Sequence, residues 1–166
     1  MPARKAAAAN KLDLTTSIEE GPYYKTGSPE RNSIADPGTT GTRLIVEGRV
    51  LDRNGKPLAH AWLDFWHADG RGRYDNKDYN LRGHQYTDKT GRYRLETVRP
   101  NEYLFRSPHV HVKVRAAENS PVLTTQLFFP GESKNTTDPL FEKLTVLDVT
   151  DIKDGQQAMF DFVVEV

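Results

Sequence analysis

"HVHVKVRA", residues 109–116, alternates without a break between polar rings or cations and small apolar side chains. Successive side chains on a strand point to opposite faces. His109, His111, Lys113 and Arg115 therefore share one face, and Val110, Val112, Val114 and Ala116 share the other. The valine face is a core face. The histidine face must then meet either solvent or a polar cavity. Arg106 opens the longer stretch "RSPHVHVKV", three residues before the first histidine.

Outward from this strand, the same style repeats. "RLIVEGRVLD", "AHAWLDFWHAD", "GRYRLETV", "VLTTQLFF", "LTVLDV" and "QAMFDFVVEV" are short, β-prone and separated by turn residues. Such spacing predicts an all-β fold, an antiparallel β-sandwich with little helix. Asp52–Gly55, Asp69–Gly72 and Asp88–Gly91 are each Asp-x-x-Gly, which suits a type I turn. "EGPYYKTGSPERNSIADPGTTG" predicts a long N-terminal loop that wraps the domain, with Tyr23, Tyr24 and Ile34 as anchors. Residues 1–14 are expected as a flexible tail and 15–166 as a single domain. A short helix is expected over Pro139 to Leu144.

Composition narrows the function classes. Among 166 residues, 23 Lys and Arg balance 23 Asp and Glu, so nothing points to nucleic acid or an acidic membrane surface. Cysteine is absent, which removes disulfides, thiolate metal sites and cysteine nucleophiles. No apolar run approaches the ~18 residues of a membrane span. "MPARKAAAAN" lacks the apolar centre of a signal peptide. The expected location is the cytoplasm, with an exported form whose leader has been removed as the alternative. The oligomeric state stays open, a homo-oligomer included.

The histidine pair carries two readings. One is a pair of surface histidines on an edge strand. The other is a metal site, because two imidazoles two residues apart on a strand can converge on one ion. Without cysteine, the remaining ligands must be His, Asp, Glu or Tyr. His60, His67 and His84 are candidates for a third imidazole, so a three-histidine zinc or iron site stays open. Spacing alone selects none of them.

Taken together, "EGPYY", "VEGRVLDRNGKPLAHAWLDFWHADGRGRYD", "LRGHQYTDKTGRYRLETVRPNEY", "RSPHVHVKV" and "LTTQLFFPGE" resemble the intradiol ring-cleavage dioxygenases. This is the family of catechol, hydroxyquinol and protocatechuate dioxygenases. The segments stand in the family's order and cover most of residues 19 to 132. The resemblance implies a mononuclear non-haem Fe(III) held by Tyr74, Tyr103, His109 and His111. Two tyrosinates are hard anionic donors that favour ferric over ferrous iron. Tyr93, by contrast, is expected in the core.

The resemblance also implies roles. Tyr103 accepts a substrate proton and leaves the metal. The catechol ring opens between its hydroxylated carbons, with both atoms of O2 entering a cis,cis-muconate-type diacid. Arg106 stabilises negative charge developing on the ring, and Gln126 holds the arginine or the substrate. Pro22, Tyr23, Tyr24 and Trp66 are expected at the substrate, although Trp66 equally suits the core.

The short chain resembles the small single-domain branch of this family. Catechol or a simple substituted catechol is the first expectation for substrate. A carboxylated catechol would need a further cation, for which Lys25, Arg31 and Arg82 are candidates. Two other readings remain at this point. One is a non-catalytic transthyretin-like or carbohydrate-binding β-sandwich. The other is a zinc hydrolase built on His109 and His111.

Overall fold

The computed structural model describes residues 10–166. The described chain forms β1 (Arg43–Leu51), β2 (Trp62–His67), β3 (Arg82–Tyr86), β4 (Arg92–Val98), β5 (His109–Arg115), β6 (Leu123–Phe128), β7 (Asp148–Ile152), β8 (Gly155–Met159) and β9 (Phe162–Val163). One sheet runs β4-β1-β8-β7, with β9 also on β1, and the other runs β3-β2-β5-β6. The valines of β5 are fully buried and pack with Leu44, Val46, Leu95, Ala158 and Phe162 from the opposite sheet. Burial of that apolar area drives the two sheets together. The fold is the expected all-β sandwich, and Tyr93 lies in its core. No helix among the described residues is long and apolar enough to cross a membrane.

Three details depart from the expectation. β8 and β9 run parallel to β1, so that sheet is mixed, while the other strand pairs are antiparallel. β3, "RGHQY", is a strand without apolar alternation. It forms because β2 pairs with it along one edge and Glu30 bridges to His84 along the other. Pro139 to Leu144 is not a helix. Short 3-10 turns lie at Ser133–Thr136 and Lys143–Thr145 instead. Between them the Asp138 carboxylate accepts the Leu140 N–H at 2.9 Å, which favours a turn over helical bonding.

The N-terminal loop is a clamp. Of the expected tail 1–14, residues 1–9 lie outside the described residues. Leu12 exchanges backbone and side-chain hydrogen bonds with Arg53, and Thr15 N–H donates to Val163. Ile18 N–H donates to Thr124 on the edge of β6. The chain then crosses the outer face of the four-stranded sheet. It bridges β3 through Glu30 and β4 through Ser33, tying the two sheets together. Tyr24 donates to the buried Asp64 at 2.8 Å, Ser28 donates to the same carboxylate at 2.7 Å, and Ile34 enters the core. Burial raises the Asp64 pKa, and the Ser28 and Tyr24 hydrogen bonds oppose that rise.

Candidate metal centre

The register of the four-stranded sheet builds the floor of the site. Arg82, Trp66, His111 and Gln126 stand opposite one another on β3, β2, β5 and β6, on the face away from the core. The histidine face is not a solvent face. His109 and His111 are 4% and 3% exposed, because the loop around Gly21 and two further loops cover them.

Those two loops carry the tyrosines. The Asp69–Gly72 turn closes with Gly72 N–H on the Asp69 carbonyl at 3.0 Å, and the same carbonyl accepts Asn101 N–H at 3.0 Å. One carbonyl thus ties the Tyr74 loop to the Tyr103 loop. Gly72 has φ +76°, and a Cβ there would lie 2.1 Å from the Glu102 carbonyl oxygen. Only glycine allows both the conformation and the approach. The Asp52 and Asp88 turns close with the same set of bonds.

Tyr103 and Arg106 are placed by a tight turn. Arg106 N–H donates to the Tyr103 carbonyl at 2.8 Å and Tyr103 N–H returns to Arg106 at 3.3 Å. Leu104 and Phe105 form the tip, with Leu104 at φ +52°. Such a conformation costs roughly 1 kcal/mol for a residue with a Cβ. Both side chains stay open, 69% and 63% exposed.

Three donor atoms converge at the centre. Tyr74 Oη lies 2.8 Å from His111 Nε2 and 3.2 Å from His109 Nε2, and the two Nε2 atoms are 3.0 Å apart. His109 Nδ1 bonds the Ser107 carbonyl at 2.6 Å. A carbonyl only accepts, so Nδ1 carries the proton and Nε2 presents a lone pair to the centre. His111 stacks flat on Trp66, centroids 4.7 Å apart. Burial lowers the His109 pKa to about 4, with Arg106 acting in the same direction, and places His111 well below its ordinary value. Both rings are therefore neutral at neutral pH. Burial also raises the Tyr74 phenol, opposed by the charges of Arg106 and Arg82.

The donor set fits a metal ion. Ring nitrogens and oxygens bind first-row ions at about 2.1 Å, so donors at right angles sit about 3 Å apart. The Tyr74, His109 and His111 triangle has that spacing. At this centre the donor atom beside the two imidazole nitrogens is the Tyr74 phenol oxygen. Tyr103 stands beside the triangle, its ring edge-on to Tyr74 at 5.5 Å and its hydroxyl hydrogen-bonded to Tyr23. Tyr23 also stacks on Tyr74 at 4.5 Å. Its phenol is raised from the ordinary value, first by the bond to Tyr103.

A cavity of about 320 Å³ opens over these groups. Pro22, Tyr23, Tyr74, Tyr103 and Arg106 line it, together with Pro139, Leu140 and the exposed Leu104 and Phe105. Arg106 is held by Asp138 at 2.9 Å and by the Gln126 side chain. Gln126 thus reaches the arginine and is not itself on the wall. Tyr24 and Trp66, expected at the substrate, are not on the wall either. Tyr24 is directed to Asp64, and Trp66 is packed beneath His111.

The other expected ligands and cations are engaged elsewhere. His67 bonds Ala68 and Thr97, His60 stacks on Tyr86, and His84 bonds Ser28. Lys25 reaches the Lys77 and Asp78 carbonyls, Arg31 reaches Tyr79 and Arg82, and Arg82 reaches Asp75 and Tyr23. Asp138, Leu104 and Phe105 were not singled out from the sequence. The Asp-Pro pair at 138–139 is a turn signal, but it does not reveal the partner 32 residues upstream.

Fold and donor set together define a β-sandwich protein with a candidate centre of two phenols and two imidazoles. The family model for dioxygenases matches residues 19–165, and the chain belongs to the intradiol dioxygenase family. It is 33% identical to the protocatechuate 3,4-dioxygenase beta chain of Burkholderia cepacia, over 68% of this chain and 55% of that one. It is 32% identical to catechol 1,2-dioxygenase of Acinetobacter baylyi, over 76% of this chain and 50% of that one. The chain therefore spans about half the length of these curated relatives. Its structure is similar to the dioxygenase domain of a dioxygenase–carbohydrate-binding protein fusion from Streptomyces sp. SirexAA-E. The TM-score is 0.89 at 45% identity, covering 93% of this chain and 99% of that one.

Proposed function

We propose that this chain is a non-haem Fe(III) intradiol dioxygenase. It opens an uncharged catechol between its hydroxylated carbons with O2 to a cis,cis-muconate-type diacid. The observation that carries this reading is the triangle of Tyr74 Oη, His109 Nε2 and His111 Nε2, with Tyr103 beside it in an accessible cavity. Tyr74, Tyr103, His109 and His111 would hold the ion. Bound ferric iron supplies Lewis acidity that activates a catecholate toward O2.

The chain's own residues do the rest. Tyr103, as a phenolate, would accept a substrate proton at Oη, and Tyr23, whose hydroxyl already meets it, would hold the resulting phenol. Arg106 presents a fixed guanidinium to negative charge spreading over the ring. Pro22 and Tyr23 flank the ring, and Leu104, Phe105, Pro139 and Leu140 limit water at the mouth. Lys25, Arg31 and Arg82 do not line the cavity, so Arg106, already assigned to the charge on the ring, is the cation on its wall and none is left for a substrate carboxylate. An uncharged or apolar-substituted catechol suits such a wall better than a carboxylated one.

Reconstitution with ferric iron tests the reading. The purified protein should hold one iron and show a red-brown phenolate-to-iron band that shifts when catechol is added. Tyr74→Phe should weaken both. Protein that stays colourless and iron-free after reconstitution would reject the proposal.

A further inference from the structure

Asp138 belongs to no strand and is not one of the donors, yet its carboxylate is fully buried. Burying such a charge is costly unless every oxygen is engaged. Here both are. They accept Arg106 Nε at 3.0 and 2.9 Å, the Ser107 N–H at 2.8 Å and the Leu140 N–H at 2.9 Å. Each bond leads to a different part of the cavity. Arg106 is the guanidinium on the wall. Leu140 lines the cavity. Ser107 offers its carbonyl to His109 Nδ1 at 2.6 Å.

The arginine is fixed at two points. Nε meets Asp138, Nη2 meets Gln126, and Gln126 Nε2 is itself anchored on the Glu19 carbonyl at 3.0 Å. Two bonds at different corners fix the plane of a guanidinium. Neither uses Nη1, and Arg106 lines the cavity. On the other side, Asp138 accepts the Ser107 N–H and so holds the residue whose carbonyl, one peptide further on, accepts the proton on His109 Nδ1.

We propose that Asp138 is a positioning residue, one carboxylate that sets both the plane of Arg106 and, through Ser107, the tautomer and aim of His109. It touches no reacting atom and acts through those two groups. The kinetic part of this inference rests on the ferric dioxygenase reading; the spectroscopic part does not.

Asp138→Asn and Asp138→Glu test it in the full chain. In the metal-free protein, 15N NMR should show a slowly exchanging Arg106 Nε–H and an Nδ1-protonated His109. Asp138→Asn should lose the first signal and blur the second. In the iron-loaded protein, Asp138→Glu keeps the charge but displaces it by one methylene. Its kcat for catechol should fall about 10- to 100-fold with KM little changed, as expected for a lost outer-shell partner. Because Asp138→Asn can fail to fold, Asp138→Glu carries the test alone in that case. A folded Asp138→Glu with wild-type kcat, or an Arg106 Nε–H signal that survives in Asp138→Asn, would overturn the proposal. Absence of O2 uptake by the wild-type protein would instead reject the dioxygenase reading and leave the NMR result standing.

Discussion

Tyr103 and Arg106 stand side by side because only two residues separate them, and those two turn the chain back on itself. Leu104 takes the unfavourable left-handed conformation, and the result is a phenol and a guanidinium on one cavity wall. The Tyr103 oxygen has a second partner in Tyr23, so as a phenolate it could accept a proton and remain hydrogen-bonded as the phenol. Tyr103→Phe should therefore keep most of the iron but lower kcat about 100-fold or more, in line with loss of a general base. Steady-state turnover beside an iron assay checks this, and unchanged kcat would reject the role. Neither Tyr103 nor Tyr74 stands out by spacing. Both lie on loops, where no period links a residue to its neighbours in space, and family resemblance selected them from seven tyrosines.

Strand β5 is the most legible element. Alternation alone separated Val110, Val112 and Val114, all fully buried, from His109 and His111. What covers the histidine face could not be read from that period. The cover is the loop from Ile18 to Ser33, pinned by Asp64, and the tie between the Tyr74 and Tyr103 loops. β3 is not legible in the sequence because its partners, rather than its own pattern, make it a strand. The parallel pairing of β1 with β8 is not legible either, because alternation defines faces and not strand direction. The Asp-x-x-Gly signal at residues 69–72 did point to a turn, and its glycine also lets the second tyrosine loop approach. Gly72→Ala should push the Glu102 carbonyl away and strain the backbone, destabilising the fold by about 1–3 kcal/mol. It should also weaken iron binding, because Tyr103 follows Glu102. Denaturant unfolding and iron titration on one preparation check both effects.

Across the whole molecule, stability and site share one construction, since the clamp that joins the sheets also roofs the candidate metal centre. His67 sits between the sheets, bonded to Ala68 and Thr97, with its pKa lowered to about 4 by burial. The unfolded chain therefore binds this proton more readily than the fold. Stability from His67 is present above about pH 6.5 and is lost as pH falls toward 4, a change on the order of 3 kcal/mol. His67→Gln should flatten this part of the pH dependence when unfolding midpoints are compared from pH 7.5 to 4.5; an unchanged slope would remove His67 as a cause. Oxygen-electrode measurement of the iron-loaded protein with catechol tests the ring-opening chemistry most directly. One O2 should be consumed per catechol, with a cis,cis-muconate-type diacid as product and no uptake by Tyr74→Phe. Iron-loaded protein that binds catechol without consuming O2, or a product cleaved outside the two hydroxylated carbons, would contradict it.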